Sequence, residues 1–241
     1  MGDNMKYAVQ LYSLRDMVKN GDDFLKILEE VKKLGFDGVE FAGYHGLSAE
    51  TIKAKLDELG LVPVGCHIGV DSFSDENIEE TVAFHKTLGV LNVGTGGAPH
   101  DTVEECERAA DLLAKGSAAL GVPAYYHNHT EEFTVLENGK TAMQIFADKV
   151  KLELDTYWSF CAGMDNYKYI TENVDDIILL HIKDGIDGKP KALTEGNNDL
   201  DAVIRAAKDN NIEWVILEND DPVPNGLEDV TRSMKYLQSV K

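Results

Sequence analysis

Ile177-Ile-Leu-Leu-His181-Ile-Lys183-Asp184 is an apolar run of strand length that ends on a cluster of polar side chains. Three more runs in the second half of the chain share that design: Val122-Pro-Ala-Tyr-Tyr-His127-Asn-His129, Val150-Lys-Leu-Glu-Leu-Asp155 and Trp214-Val-Ile-Leu-Glu218-Asn-Asp. Each reads as a buried strand whose C-terminal end carries a residue able to hold a divalent metal. Asp, His and Glu converging from neighbouring strand ends make a nitrogen and oxygen donor set, and strand C-termini are where an α/β barrel builds its chemistry.

Outward from these runs, strand-like and helix-like patterns alternate at roughly the thirty-residue spacing of a βα unit. The spacing predicts strands near 6 to 13, 38 to 43, 61 to 69, 91 to 97, 122 to 129, 150 to 158, 177 to 185 and 214 to 221. Between them, Asp23 to Leu34 places Phe24, Ile27, Leu28, Val31 and Leu34 on one helical face, and Gly35 stops it. Further helices are expected to start at Ser48, Ser74 and Asp101, and another to cover Leu200 to Lys208. Leu-Gly transitions at Gly35, Gly60, Gly89 and Gly121 repeat one helix, cap and strand theme. Eight strands with four matching transitions predict a closed (β/α)8 barrel of the α/β class, residues 1–241 forming a single domain. A doubly wound sheet would want a glycine-rich first turn, and Tyr12-Ser-Leu-Arg-Asp has none.

At 241 residues the chain is long for one core, but barrels of this kind reach that size without splitting. Acidic residues outnumber basic ones by 43 to 23, and the net charge of −20 repels nucleic acid and anionic membranes. The acidic runs Asp220-Asp221 and Glu79-Glu80 read as solvated faces. Cys66, Cys106 and Cys161 lack CxxC spacing, which supports neither a disulfide framework nor a thiolate zinc site and suits a reduced, cytoplasmic setting. Met1 to Lys6 is too short and polar for a signal peptide, and no apolar run approaches the length of a membrane span.

Period-two alternation sorts the strand residues into faces. Glu153, Asp155 and Tyr157 share one, as do His181 with Lys183 and His127 with His129. Gln10, Tyr12, Glu40 and His67 are the inward candidates elsewhere. A barrel mouth lined with such groups is poorly explained by stability, because a buried polar group costs free energy unless it is paired.

Lys6-Tyr-Ala-Val-Gln-Leu-Tyr-Ser13, Gly35-Phe-Asp-Gly-Val-Glu40-Phe, Tyr126-His-Asn-His129, Glu153-Leu-Asp155-Thr-Tyr-Trp158, Leu180-His-Ile-Lys-Asp184 and Leu217-Glu218 together resemble the sugar phosphate isomerase/epimerase group of xylose-isomerase-like TIM barrels. The resemblance covers nearly the whole chain. Members commonly bind one divalent cation through a Glu, an Asp, a His and a Glu on strands 5 to 8. Asp155, His181 and Glu218 match the last three, whereas His127 stands where many relatives carry Glu, as in a subgroup with His-Asn-His at this point. His129 or Glu132 in the same loop could instead supply the fourth ligand.

The resemblance implies an enzyme that removes a proton next to a carbonyl. In related ketose 3-epimerases two metal-binding glutamates move the proton; here one of the pair would be an imidazole, whose ordinary pKa of about 6.5 still suits base chemistry. The expected roles are metal ligation by His127, Asp155, His181 and Glu218, proton transfer by Glu218 and His127, and substrate contacts from His67, Lys183, Glu40 and Trp158. Lys183 could equally pair with Asp184 or Glu153, and Trp158 and Tyr12 could stack on a sugar or simply pack. The expected cofactor is one divalent ion among Mn, Mg, Co, Zn and Fe, two imidazoles favouring a transition metal over Mg. The expected partner is a small sugar or cyclitol, without nucleic acid or membrane, and a homo-oligomer is compatible with the sequence. Two alternatives stand beside isomerisation or epimerisation: elimination from an inosose-like ketone or 3-keto-glycoside, and a sugar-binding barrel without catalysis. An endonuclease IV-like role fits poorly, since a polyanion would meet a strongly acidic surface.

Overall fold

Eight parallel strands set the frame of the computed structural model, which describes residues 5–240. They are β1 (Lys6–Gln10), β2 (Gly38–Phe41), β3 (Val62–Cys66), β4 (Val93–Thr95), β5 (Ala124–His127), β6 (Lys151–Asp155), β7 (Ile177–Ile182) and β8 (Trp214–Leu217). They lie in the order β3, β2, β1, β8, β7, β6, β5, β4, every pairing parallel. The two ends of that sheet meet through a bridge between His67 and Gly94, reinforced by the Ile68 N–H donating to the Gly94 carbonyl at 2.9 Å. The barrel is therefore nearly closed, with helices outside, as the spacing of strand-like runs predicts. Gly94 lets this seam close: a Cβ there would stand 2.4 Å from the Tyr125 ring that fills the interior beside it. Residues 1–4, which include most of the segment read for a signal peptide, lie outside the described residues.

The two faces of each strand serve two cores. Outward residues such as Val9, Val39, Leu154, Leu180 and Leu217 join helix residues including Phe24, Ile27, Leu28 and Val31 in the larger one. Burying each large apolar side chain there is worth about 1.5–3 kcal/mol. Inward residues Ala8, Val64, Tyr125, Leu179, Trp214 and Ile216 form a separate apolar floor across the barrel. Gly35, Gly60, Gly89 and Gly121 all cap helix C-termini in left-handed backbone, just ahead of β2 to β5 and so at the end of the barrel opposite the strand C-termini.

Several boundaries differ from expectation for local reasons. β1 ends at Gln10 because its side chain accepts the Tyr12 N–H at 3.0 Å and starts a 3₁₀ turn over Leu11–Met17. Tyr12 consequently leaves the interior and lies exposed under the Arg15 guanidinium. β6 stops at Asp155, which caps the short helix Thr156–Cys161, so Tyr157 belongs to that helix. β7 stops at Ile182, and Asp184–Ile186 pairs with Lys189–Lys191 in a small antiparallel hairpin. Ser48 is an N-cap as expected; the next two helices start slightly later, behind Asn77 rather than Ser74 and behind Thr102 rather than Asp101. Thr102 wins because it forms a reciprocal capping box with Glu105. Among the described residues no helix is long and apolar enough to cross a membrane.

Candidate metal centre

Above the floor, alternation replaces apolar side chains with polar ones. Two residues beyond Ala8, Tyr125 and Leu179 come Gln10, His127 and His181; Glu40, His67 and Glu153 point in beside them. The Tyr125 ring belongs to the floor, but its hydroxyl donates upward to Glu40 Oε1. Gln10 donates to Glu40 Oε2 at 2.8 Å, and His181 Nε2 lies 2.6 Å from the same oxygen. Glu153 Oε2 gathers three imidazoles: His67 Nε2 at 2.7 Å, His127 Nδ1 at 3.2 Å and His181 Nε2 at 3.2 Å. Its other oxygen, Oε1, is buried without a hydrogen-bond partner among the described residues.

A second polar layer lies nearer the mouth. Lys183, fully buried, donates to Asp155 Oδ2 at 3.1 Å and to Glu218 Oε2 at 2.8 Å, and pairs with Asp220 at 2.5 Å. Asp155 Oδ1 is engaged by the Tyr157 and Trp158 N–H groups, both at 2.9 Å, which holds Oδ2 toward the interior. His181 Nδ1 is 3.0 Å from Glu218 Oε2, while His127 Nε2 is 3.9 Å from Asp155 Oδ2. Each of these two imidazoles thus turns one nitrogen to the lower layer and one to the upper.

Charges follow from that packing. Burial works against ionisation of Glu40, yet His67 and His181 outweigh it and bring its pKa down to about 2. Burial likewise opposes the charged form of Glu218, and Lys183 and His181 overcome it, holding the carboxyl well below its ordinary range. Glu153 and Asp155 move the other way: burial raises both, helped at Glu153 by the neighbouring Glu40. His127 is driven well below the usual imidazole range by burial and by the positive His181, and is therefore neutral. Burial also opposes protonation of His181, but Glu153, Glu218 and Glu40 raise its pKa well above normal.

Two groups of four could hold a cation. His127, Asp155, His181 and Glu218 offer ligand atoms all within 4.8 Å of one another, and so do His67, His127, Glu153 and His181. The first set combines two imidazole nitrogens with two carboxylates, a chemistry suited to a first-row divalent ion. Around it three carboxylates face the Lys183 ammonium and His181, and because His181 would have to give up its proton to serve as a ligand, the negative excess then left matches a divalent cation. The donor set and this charge therefore fit a metal.

The structure thus brings together the four strand-end residues singled out in sequence. Of the other two candidates for the fourth ligand, His129 turns its side chain toward solvent, and Glu132 is buried with its oxygens taken by the Tyr126 hydroxyl and the His129 N–H. Lys183 does not pair with Asp184, whose carboxylate instead accepts backbone N–H groups of Gly185, Thr194, Gly196 and Asn198. Asp220 corrects the reading of a solvated acidic run, because Lys183 reaches it from below. Trp158 is half-buried with its ring 5.1 Å from Lys183 Nζ. His67 and Glu40 sit in the lower layer, Glu40 with no exposure. Glu153 is not among the site residues expected from the sequence, although its place two residues before Asp155 already puts it on the same face.

Comparison with known proteins agrees with this architecture. A sugar phosphate isomerase/epimerase from Parabacteroides distasonis superposes with a TM-score of 0.81 at 20% identity, covering 98% of this chain and 96% of that one. An L-ribulose 3-epimerase gives 0.76 at 16% over 98% and 94%, and a probable 3-DHS dehydratase involved in petrobactin synthesis in Bacillus anthracis gives 0.76 at 17% over 97% and 99%. Identities this low speak for the fold alone. No curated protein matches the chain significantly. The family model for xylose isomerase-like TIM barrels, however, matches residues 28–240, nearly the whole described barrel. The chain belongs to the xylose isomerase-like TIM barrel family.

Proposed function

We propose that the chain, acting as one domain over residues 1–241, is a cytoplasmic, divalent-metal-dependent sugar isomerase or epimerase that removes a proton next to a carbonyl. The observation that carries this reading is the meeting of His127, Asp155, His181 and Glu218 at the strand C-termini, all buried and within 4.8 Å of one another. These four would hold the ion, one among Mn, Mg, Co, Zn and Fe. When bound, such an ion supplies a Lewis acid that stabilises negative charge on sugar oxygens. Two of the solved neighbours are named as isomerase/epimerase or epimerase, which supports the same class.

The chain's own groups then divide the remaining work. Glu218, ionised beside Lys183, takes the proton from the carbon next to the carbonyl, and His127, with Nε2 on the ion, keeps only its Nδ1–H, turned to Glu153, with which to move a second one. Lys183 keeps its charge, since Asp155 and Glu218 outweigh the effect of burial, and it anchors a substrate oxygen rather than giving up a proton. Trp158 offers a ring face to a sugar beside that ammonium. His67 meets a substrate hydroxyl, with Glu40 acting through His67 and His181. The substrate is a small sugar or cyclitol; a net charge of −20 speaks against nucleic acid and anionic membranes.

Elimination is the second reading, and His129 favours it. Its half-exposed imidazole stands at the mouth next to Trp158, and although burial lowers its proton affinity, Glu132 more than restores it. A protonated imidazole there could give its proton to a departing oxygen. A dehydratase among the solved neighbours is consistent with this branch.

The test is solvent exchange. Metal-loaded protein is incubated in deuterium oxide with a panel of ketoses, inososes and 3-keto-glycosides, and loss of the carbon-bound proton is followed by NMR. Exchange that Glu218→Gln suppresses supports the enzyme; exchange with all oxygens retained marks isomerisation or epimerisation, and an ultraviolet-absorbing enone marks elimination. Tight binding of several sugars without exchange would leave a sugar-binding barrel in its place.

A further inference from the structure

The two four-residue groups share His127 and His181, and a neutral imidazole has one lone pair to give. An ion bound through both rings therefore takes either their upper or their lower nitrogens; His181 has a carboxylate for its spare N–H in both cases, Glu40 or Glu218, so the spare N–H of His127 decides which. With the ion on His127 Nε2 and His181 Nδ1, the remaining N–H groups point at Glu153 Oε2 at 3.2 Å and Glu40 Oε2 at 2.6 Å. With the ion below, His127 keeps a proton on Nε2, whose nearest carboxylate oxygen is Asp155 Oδ2 at 3.9 Å, beyond hydrogen-bond reach. The lower carboxylates also have protein partners already: Glu40 holds the Tyr125 hydroxyl and the Gln10 amide, and Glu153 holds His67.

We propose that Glu153, with Glu40 beside it, is the positioning layer of the metal centre: it fixes His127 as the Nδ1–H form and, with Glu40, His181 as the Nε2–H form. The ion then sits in the upper set, on His127 Nε2 and His181 Nδ1. Carboxylates behind metal-bound imidazoles orient the ring and raise its basicity, and losing one typically costs about 10–100-fold in metal affinity. Glu153 suits this task better than a ligand role because one of its oxygens already collects nitrogens from three rings. This assignment rests on the metal reading of the site.

Cobalt(II) is titrated into apo wild type, Glu153→Gln, Glu153→Ala and Asp155→Ala, each checked for folding by circular dichroism, with affinity and the visible ligand-field spectrum both recorded. The proposal expects Glu153→Ala to lose about 10–100-fold in affinity with an unchanged spectrum. Glu153→Gln keeps an acceptor for His127 and should recover part of that loss, and Asp155→Ala should lose binding or change the spectrum. In zinc-loaded protein labelled with ¹⁵N-histidine, His127 should carry its proton on Nδ1 and His181 on Nε2. Wild-type affinity in both Glu153 variants would overturn the positioning role. An altered spectrum in Glu153→Ala together with unchanged binding in Asp155→Ala would move the ion to the lower set. Should wild type itself bind no cobalt, the metal reading falls and the positioning role falls with it.

Discussion

The inside of this barrel has two regions built by the same alternation and opposed in chemistry. The floor of Ala8, Val64, Tyr125, Leu179, Trp214 and Ile216 is what a packed barrel interior needs. The stack above it buries Glu40, Glu153, Asp155, Lys183, His127, His181 and Glu218, none more than marginally exposed. Apolar residues of similar volume in the stack would commonly match or exceed the stability of such ion pairs. The floor thus explains why the barrel stands, and the stack is explained by what it can bind.

If the two regions are independent, damage to one should spare the other. Trp214→Ala empties the base of the floor and should cost about 3–5 kcal/mol in urea unfolding, with metal affinity in the folded fraction unchanged. Coupled losses of stability and affinity would show one cooperative interior instead. Lys183→Met tests the stack. It leaves Asp155, Glu218 and Asp220 without their ammonium and should destabilise the metal-free protein by about 3 kcal/mol. Added divalent metal should raise the stability of this variant over its metal-free form, because a ligand binding only the folded state stabilises it, by about 2.7 kcal/mol at a hundred times its dissociation constant. A variant whose stability does not respond to metal would mean that the carboxylates do not serve a cation.

The other two tests lie outside the interior and should touch neither region. Gly121 has φ of +76° with nothing near its missing Cβ, so Gly121→Val pays only for left-handed backbone, about 1–2 kcal/mol by thermal melting, with metal binding intact. His85 gives the smallest effect. Buried, with Tyr44 and the Thr81 carbonyl on its two nitrogens, its pKa is lowered by that burial. The unfolded chain therefore takes up the proton first, and stability falls as pH drops below about 6.5, by at most about 1.4 kcal/mol per unit. His85→Gln should flatten that part of the pH profile; an unchanged profile would show that His85 is not its source.

The floor and the stack were not equally legible in the sequence. Apolar runs, four Leu-Gly transitions and alternation were enough for the barrel and for polar residues at its strand ends, because these features repeat with fixed periods; the family resemblance pointed to Asp155, His181 and Glu218 and left His127, His129 and Glu132 open as the fourth ligand. Strand ends were harder, because Gln10 and Asp155 stop their strands with side-chain hydrogen bonds that no periodicity records. Glu153 faced inward on paper, but that three imidazoles meet at one of its oxygens depends on strands far apart in sequence. Asp220 looked solvated because its partner, Lys183, comes from another strand.

The most direct test of the central claim is metal content. Wild type and the Asp155→Ala/Glu218→Ala double variant are purified without chelator, dialysed against manganese, cobalt or zinc, and measured by elemental analysis alongside protein concentration. One ion per chain in the wild type and none in the folded double variant is the expected result. No ion in the wild type, or equal metal in both proteins, would contradict the assignment of this barrel as a metal-dependent enzyme centred on those strand ends.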